Sequence, residues 1–163
     1  MHLMWTNMTR AGRILNESQV ITYDDFPTDM QEWLLSFVEQ YGDDEAWEKL
    51  HGGYEFEVMD IPTSYFPNVE ELAFFEHIRF DETDELTSQL MIGKNLPPVI
   101  ICDGILVDGF HRVWAAQYEG KQSVQAIDIS QLGEYLVDNF LKDSETLAGM
   151  TDDRSLFEVR NRE

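Results

Sequence analysis

The sequence predicts an α+β fold: a small mixed sheet with flanking helices, and a helical segment ahead of it. Three observations carry this expectation. Residues 54–61, Tyr54-Glu55-Phe56-Glu57-Val58-Met59-Asp60-Ile61, alternate apolar and acidic side chains, the period of a half-buried strand. Val99-Ile100-Ile101-Cys102 is a continuous apolar run, and the Asp103-Gly104 that follows is a hairpin signal returning the chain through Ile105-Leu106-Val107. Apolar residues three and four apart mark helices beginning near Thr28 and near Phe110.

Taken in order, residues 1–22 are methionine-rich without clear periodicity and read as an arm or a short edge strand. Thr28-Asp29-Met30-Gln31 has the spacing of a capping box, and Trp33, Leu34, Phe37, Val38 and Tyr41 then line one helical face up to Gly42. Residues 43–50 add a short helix whose acidic start, Asp43-Asp44-Glu45, reads as a solvated face, and Gly52-Gly53 breaks it. The first clear strand ends at Pro62, Phe66-Pro67-Asn68 forms a turn, and residues 69–75 a short helix. A second helix is expected over residues 82–92, with Leu86, Leu90 and Met91 inward, closed by Gly93 before Pro97-Pro98. After the hairpin, Asp108-Gly109 leads into a helix that buries Phe110, Val113, Trp114 and Tyr118, with Gly120 at its C-cap. Residues 123–129 form the next strand, Ser130 caps a last helix carrying Leu132, Leu136 and Phe140, and residues 143–163 form a polar tail. The chain thus divides into residues 1–53 as arm and helical extension, 54–142 as the main domain, and the tail.

Charge is the outlier. Of 163 residues, 32 are acidic and 11 basic, a net of −21. Such a field repels a phosphate backbone, so ordinary binding to duplex DNA is disfavoured, and a basic protein is the partner it would attract. The excess is uneven: residues 98–130 hold Asp103, Asp108, Glu119 and Asp128 against Arg112 and Lys121, which makes this segment the least hostile to an anion. No apolar stretch approaches the roughly 20 residues needed to span a bilayer, and the N-terminus lacks the pattern of a signal peptide. A single cysteine, Cys102, excludes an internal disulfide and sits in an apolar strand as an inert thiol. A cytoplasmic location is expected.

The chemistry-bearing segment is Asp108-Gly109-Phe110-His111-Arg112. The first N–H groups of a helix lack internal partners, and the helix dipole there favours negative charge. Gly109 lets an anion approach the backbone, and Arg112 supplies a planar donor fork suited to phosphate oxygens. Cations at a helix N-terminus are unfavourable on dipole grounds, so His111 and Arg112 there suit a bound anion. The site is expected to face outward. Asp108 is placed to act as a base or to help hold magnesium. A local role for the same residues is that Asp108 caps the helix and pairs with Arg112. Other candidates are weaker: His2, His51 and His77 lack metal-ligand spacing, and Trp33, Trp47 and Trp114 suit a core.

The run Pro97-Pro98-Val99-Ile100-Ile101-Cys102-Asp103-Gly104, then Leu106 through Ala116, then Gly120-Lys121-Gln122-Ser123-Val124, resembles the ParB/sulfiredoxin superfamily. The resemblance covers about residues 54–130, with its specific half in the strand–turn–helix–strand part. It implies a ParB/sulfiredoxin-like fold in which Gly109, Phe110, His111 and Arg112 contact ATP or CTP with magnesium, and in which Asp108 and His111 are the catalytic candidates. It also points to Asp60, Asn68, Glu70 and Glu71, near where kinases of the superfamily keep an acidic base. Phe110 stands where sulfiredoxins carry their catalytic cysteine, which excludes that reductase activity, and no basic helix-turn-helix region like that of segregation proteins is present. The expected function is nucleotide binding, with phosphotransfer or nucleotide hydrolysis as the reactions the resemblance allows. The alternative is a non-catalytic acidic protein, such as a phage- or plasmid-type inhibitor that mimics the charge of DNA.

Overall fold

The computed structural model describes residues 19–72, 97–143 and 154–160. The expected helix over residues 82–92, the arm before residue 19, and His2 and His77 lie outside them. The fold is α+β: five strands form one open sheet in the order β1-β2-β5-β3-β4, with helices packed against it. The strands are β1 (Gln19–Ile21), β2 (Phe56–Pro62), β3 (Val99–Cys102), β4 (Ile105–Asp108) and β5 (Ser123–Asp128). The helices are α1 (Thr28–Tyr41), α2 (Asp44–His51), α3 (Phe110–Glu119) and α4 (Leu136–Lys142).

The sheet is mixed because β5 runs antiparallel to β2 and parallel to β3. That parallel pairing requires a crossover, and α3 supplies it, packing on β3 and β5. The β3–β4 hairpin turns on Asp103 at φ +51 and Gly104 at φ +79, the two consecutive positive angles that an Asp-Gly hairpin turn needs. β1 is an antiparallel edge strand on β2, the short edge strand that is one of the two readings of residues 1–22.

α1 buries Met30, Leu34, Phe37, Val38 and Tyr41, close to the expected face, while Trp33 is half-buried and stacks on Phe37. Its N-cap is Pro27 and makes no side-chain capping bond, so the expected Thr28–Gln31 capping box does not form. Gln31 Nε2 instead donates to the Tyr23 carbonyl at 2.9 Å. The box-like contact lies one turn earlier, where the Asp25 carboxylate accepts from the Thr22 backbone N–H at 3.1 Å and its hydroxyl at 3.2 Å. α2 is capped by Asp43, whose Oδ1 accepts from the Ala46 N–H at 2.9 Å. Its Trp47 is 43% exposed rather than core, and stacks on His51 with ring centroids 3.9 Å apart.

Two other expectations change near the C-terminus. Ser130 does not start a continuous helix: residues 130–132 form a 3-10 turn, Gly133 is extended, and α4 begins at Leu136. Leu132, Leu136 and Phe140 are nevertheless all buried. The described part of the polar tail is docked. Phe157 is fully buried, Glu158 bridges Ile105 on the outer edge of β4, and the Val159 and Arg160 N–H groups donate to the Gly104 and Tyr65 carbonyls, each at 2.8 Å. One core cluster joins residues of α1, α2, the sheet, α3, α4 and Phe157. Among the described residues, no helix is long and apolar enough to cross a membrane.

Candidate functional site

The turn begins where β4 ends. Asp108 pairs with Ile100 across the sheet, and Gly109 then takes φ +102, a left-handed conformation that side chains rarely adopt. A Cβ at Gly109 would lie 2.6 Å from Val99 Cγ1, so glycine is also required for close packing on β3. Gly109, which has no side chain, is the N-cap of α3, and no acid stands in the first turn of the helix.

The expected local pair does form. Arg112 Nη2 donates to Asp108 Oδ2 at 3.1 Å, and Nη1 donates to the Pro97 and Pro98 carbonyls at 3.3 Å each. The two side chains are 15% and 28% exposed, so the turn lies at the floor of the surface rather than facing outward as expected. Burial pushes the Asp108 carboxyl up from its ordinary range, while Arg112 and the Gly109 N–H pull it back down. Burial likewise lowers the Arg112 guanidinium from its usual value, opposed by Asp108. Phe110 is buried and meets Phe157 edge-on at 5.8 Å, so its ring serves the core. His111 is half-buried in the same helical turn.

The remaining candidates separate. Asn68, Glu70 and Glu71 are exposed on the turns after β2 and are not brought to the Asp108–Arg112 turn. They line instead a cleft of about 770 Å³ with Thr63, Trp114, Tyr118 and Lys121, and no residue of the turn 108–112 lines it. Tyr118 was expected in the core but is 66% exposed, its ring stacked on Trp114 at 5.1 Å. The aromatic pair four residues apart was the signal available for this wall. Nothing in a linear reading joins it to residues some 50 positions upstream, where Gln117 Nε2 donates to the Pro67 carbonyl at 2.8 Å. Among the described residues, no group of three His, Cys, Asp or Glu side chains could hold a metal ion. Cys102 is buried, and burial pushes its thiol up to about 12.

Asp60 is half-buried on β2, opposite Gln125 of β5, and its Oδ1 is buried without a hydrogen-bond partner among the described residues. Burial raises its pKa above the ordinary carboxyl value. A carboxyl whose folded pKa is raised opposes folding at neutral pH, and that cost disappears as pH falls through the raised value. Asp60→Asn is therefore expected to stabilise the protein by about 1 kcal/mol at pH 7, with the gain vanishing near pH 4. Urea unfolding at the two pH values checks this, and a loss of stability at pH 7 would contradict it.

No family model matches the sequence, and no solved structure matches it. Over 55 residues the chain is 40% identical to the transcriptional regulator NovG of Streptomyces niveus, a stretch that covers 32% of this chain and 14% of that protein.

Proposed function

We propose that this chain binds a nucleoside triphosphate, ATP or CTP with magnesium, on a ParB/sulfiredoxin-like unit, with the phosphates at the Asp108–Arg112 turn. One observation carries the reading: α3 starts on a left-handed glycine, with no acid in a first turn that holds His111 and Arg112, in a chain of net charge −21. The sequence resemblance supports the same residues. Asp108 and His111 are the groups placed to move a proton, and phosphotransfer or nucleotide hydrolysis are the reactions that suit them.

Calorimetric titration with ATP, CTP, GTP and ADP, each with magnesium, tests the reading. Binding to at least one is expected, and silence across the panel rejects it. Arg112→Ala should weaken that binding by about 1.5–3 kcal/mol. It should also cost about 1–3 kcal/mol of stability, because it strands the partly buried Asp108 carboxylate. Affinity is therefore to be compared at equal folded fraction. An unchanged affinity would make Arg112 a structural partner only.

The charge favours a second reading, a non-catalytic surface for a basic protein. Asp44, Trp47, Glu48 and His51 are all exposed and share one face of α2. Neutralising acids within residues 29–48 should weaken such a partner and leave nucleotide affinity nearly unchanged. The association should also fade as the Debye length shrinks from about 10 Å at 0.1 M salt to about 3 Å at 1 M. Binding that ignores salt would reject this reading.

A further inference from the structure

The cleft that the turn 108–112 does not reach carries chemistry of its own. Its wall on α3 is the Trp114–Tyr118 stack, with ring planes 16° apart, and Tyr118 is exposed enough to offer its other face. Thr63 also lines the cleft; it is 9% exposed, and its buried hydroxyl has no hydrogen-bond partner among the described residues. A buried polar atom left in this state costs stability, and a ligand donor that reaches the wall removes the cost. At about 770 Å³ the cleft is large enough for a long side chain and its flanking backbone.

The charges of the cleft favour a cation. Glu70 and Glu71 line it against Lys121, while Arg160, which also lines it, spends its charge on Glu158 at 2.7 Å. Gly120 brings in the C-terminus of α3, the negative end of the helix dipole. The net charge of −21 adds a field that attracts a basic protein and repels nucleic acid. We infer that this cleft takes an arginine side chain of a basic protein partner, stacked on the Tyr118 ring and bonded to Glu71, with the Thr63 hydroxyl accepting a further N–H. A planar guanidinium stacks on an aromatic face while its donor fork still bonds a carboxylate; a lysine ammonium, a compact and strongly hydrated point charge, does both less well. The inference rests on the basic-partner reading above. It gives that partner an anchor apart from α2, none of whose residues line the cleft.

Calorimetric titration of the full chain with an alternating Arg-Gly hexapeptide and its Lys-Gly counterpart tests this. At about 0.15 M salt, exposed charges more than about 8 Å apart are largely screened, so the peptides report local contacts. The arginine peptide is expected to bind about threefold tighter than the lysine peptide. Tyr118→Ala should erase that contrast, and Tyr118→Phe, which keeps the ring, should retain it. Should Tyr118→Ala fail to fold by circular dichroism, Tyr118→Leu supplies the ring-free comparison. Glu71→Gln and Thr63→Val should each weaken the arginine peptide by about threefold. Glu48→Gln, which removes the same charge from α2, should weaken it less than Glu71→Gln does. Equal affinity for the two peptides, or a contrast that survives loss of the Tyr118 ring, overturns the inference. So does a larger loss from Glu48→Gln than from Glu71→Gln; in each of these cases the basic-partner reading stands. Absence of binding by both peptides removes the inference and that reading together.

Discussion

Gly109→Ala is expected to destabilise the protein by about 3–4 kcal/mol, the sum of backbone strain and overpacking. At φ +102 the new residue is strained whatever the space around it. Its Cβ would also sit 2.6 Å from Val99 Cγ1, 2.7 Å from Val99 Cβ and 3.1 Å from Val99 Cα. Val99 cannot yield, because it is buried and held in register against Ala126 of β5. Gly104→Ala separates the two causes. Gly104 has φ +79 with nothing within 4 Å of a Cβ, so that variant should lose only the backbone part, about 1–2 kcal/mol. Urea denaturation midpoints compare them. Equal losses would mean that packing on Val99 contributes nothing.

Phe157→Ala should cost about 3–4 kcal/mol, the usual penalty for emptying a buried aromatic site. Phe157 is fully buried and meets Phe110 at 5.8 Å, which ties the closing segment to the first residue of α3. Its neighbour Leu156 is 41% exposed, and Leu156→Ala should stay within about 0.5 kcal/mol. If Phe157→Ala matched that small change, the closing segment would not be docked in solution.

Composition could not show that docking. Phe157 stands among acidic and basic neighbours, and a window that averages over them reads as a solvated tail. The elements with strong local signals were legible: the Asp103-Gly104 hairpin, the α1 face and the Gly120 C-cap each follow from side-chain type and backbone preference. The α1 start at Thr28 was legible but its capping box was not, because Thr22-x-x-Asp25 and Thr28-x-x-Gln31 both present a cap and an acceptor at the same spacing, and only tertiary contact with Tyr23 decides between them. The turn 108–112 and its Asp108–Arg112 pair were legible from the four-residue spacing. The tether to Pro97 and Pro98 was not, because its acceptors are backbone carbonyls, which every residue carries. The cleft was hidden for a related reason: its walls come from three segments far apart in the chain.

The position of β5 has a consequence for biosynthesis. It is the last of the five strands to emerge, yet it lies at the centre of the sheet, between β2 and β3. Until residues 123–128 appear, the growing chain can hold only a β1–β2 pair and a β3–β4 hairpin, with nothing to join them. At about 5–20 residues per second, the stretch from the end of β4 to the end of β5 takes about 1–4 s to synthesise. Throughout that interval β2 and β3 each present an unsatisfied edge, the feature that invites wrong pairing between chains. The nascent chain is therefore at its most vulnerable between the synthesis of β4 and that of β5, when the other four strands are already made, and arrival of the central strand ends that period in one step.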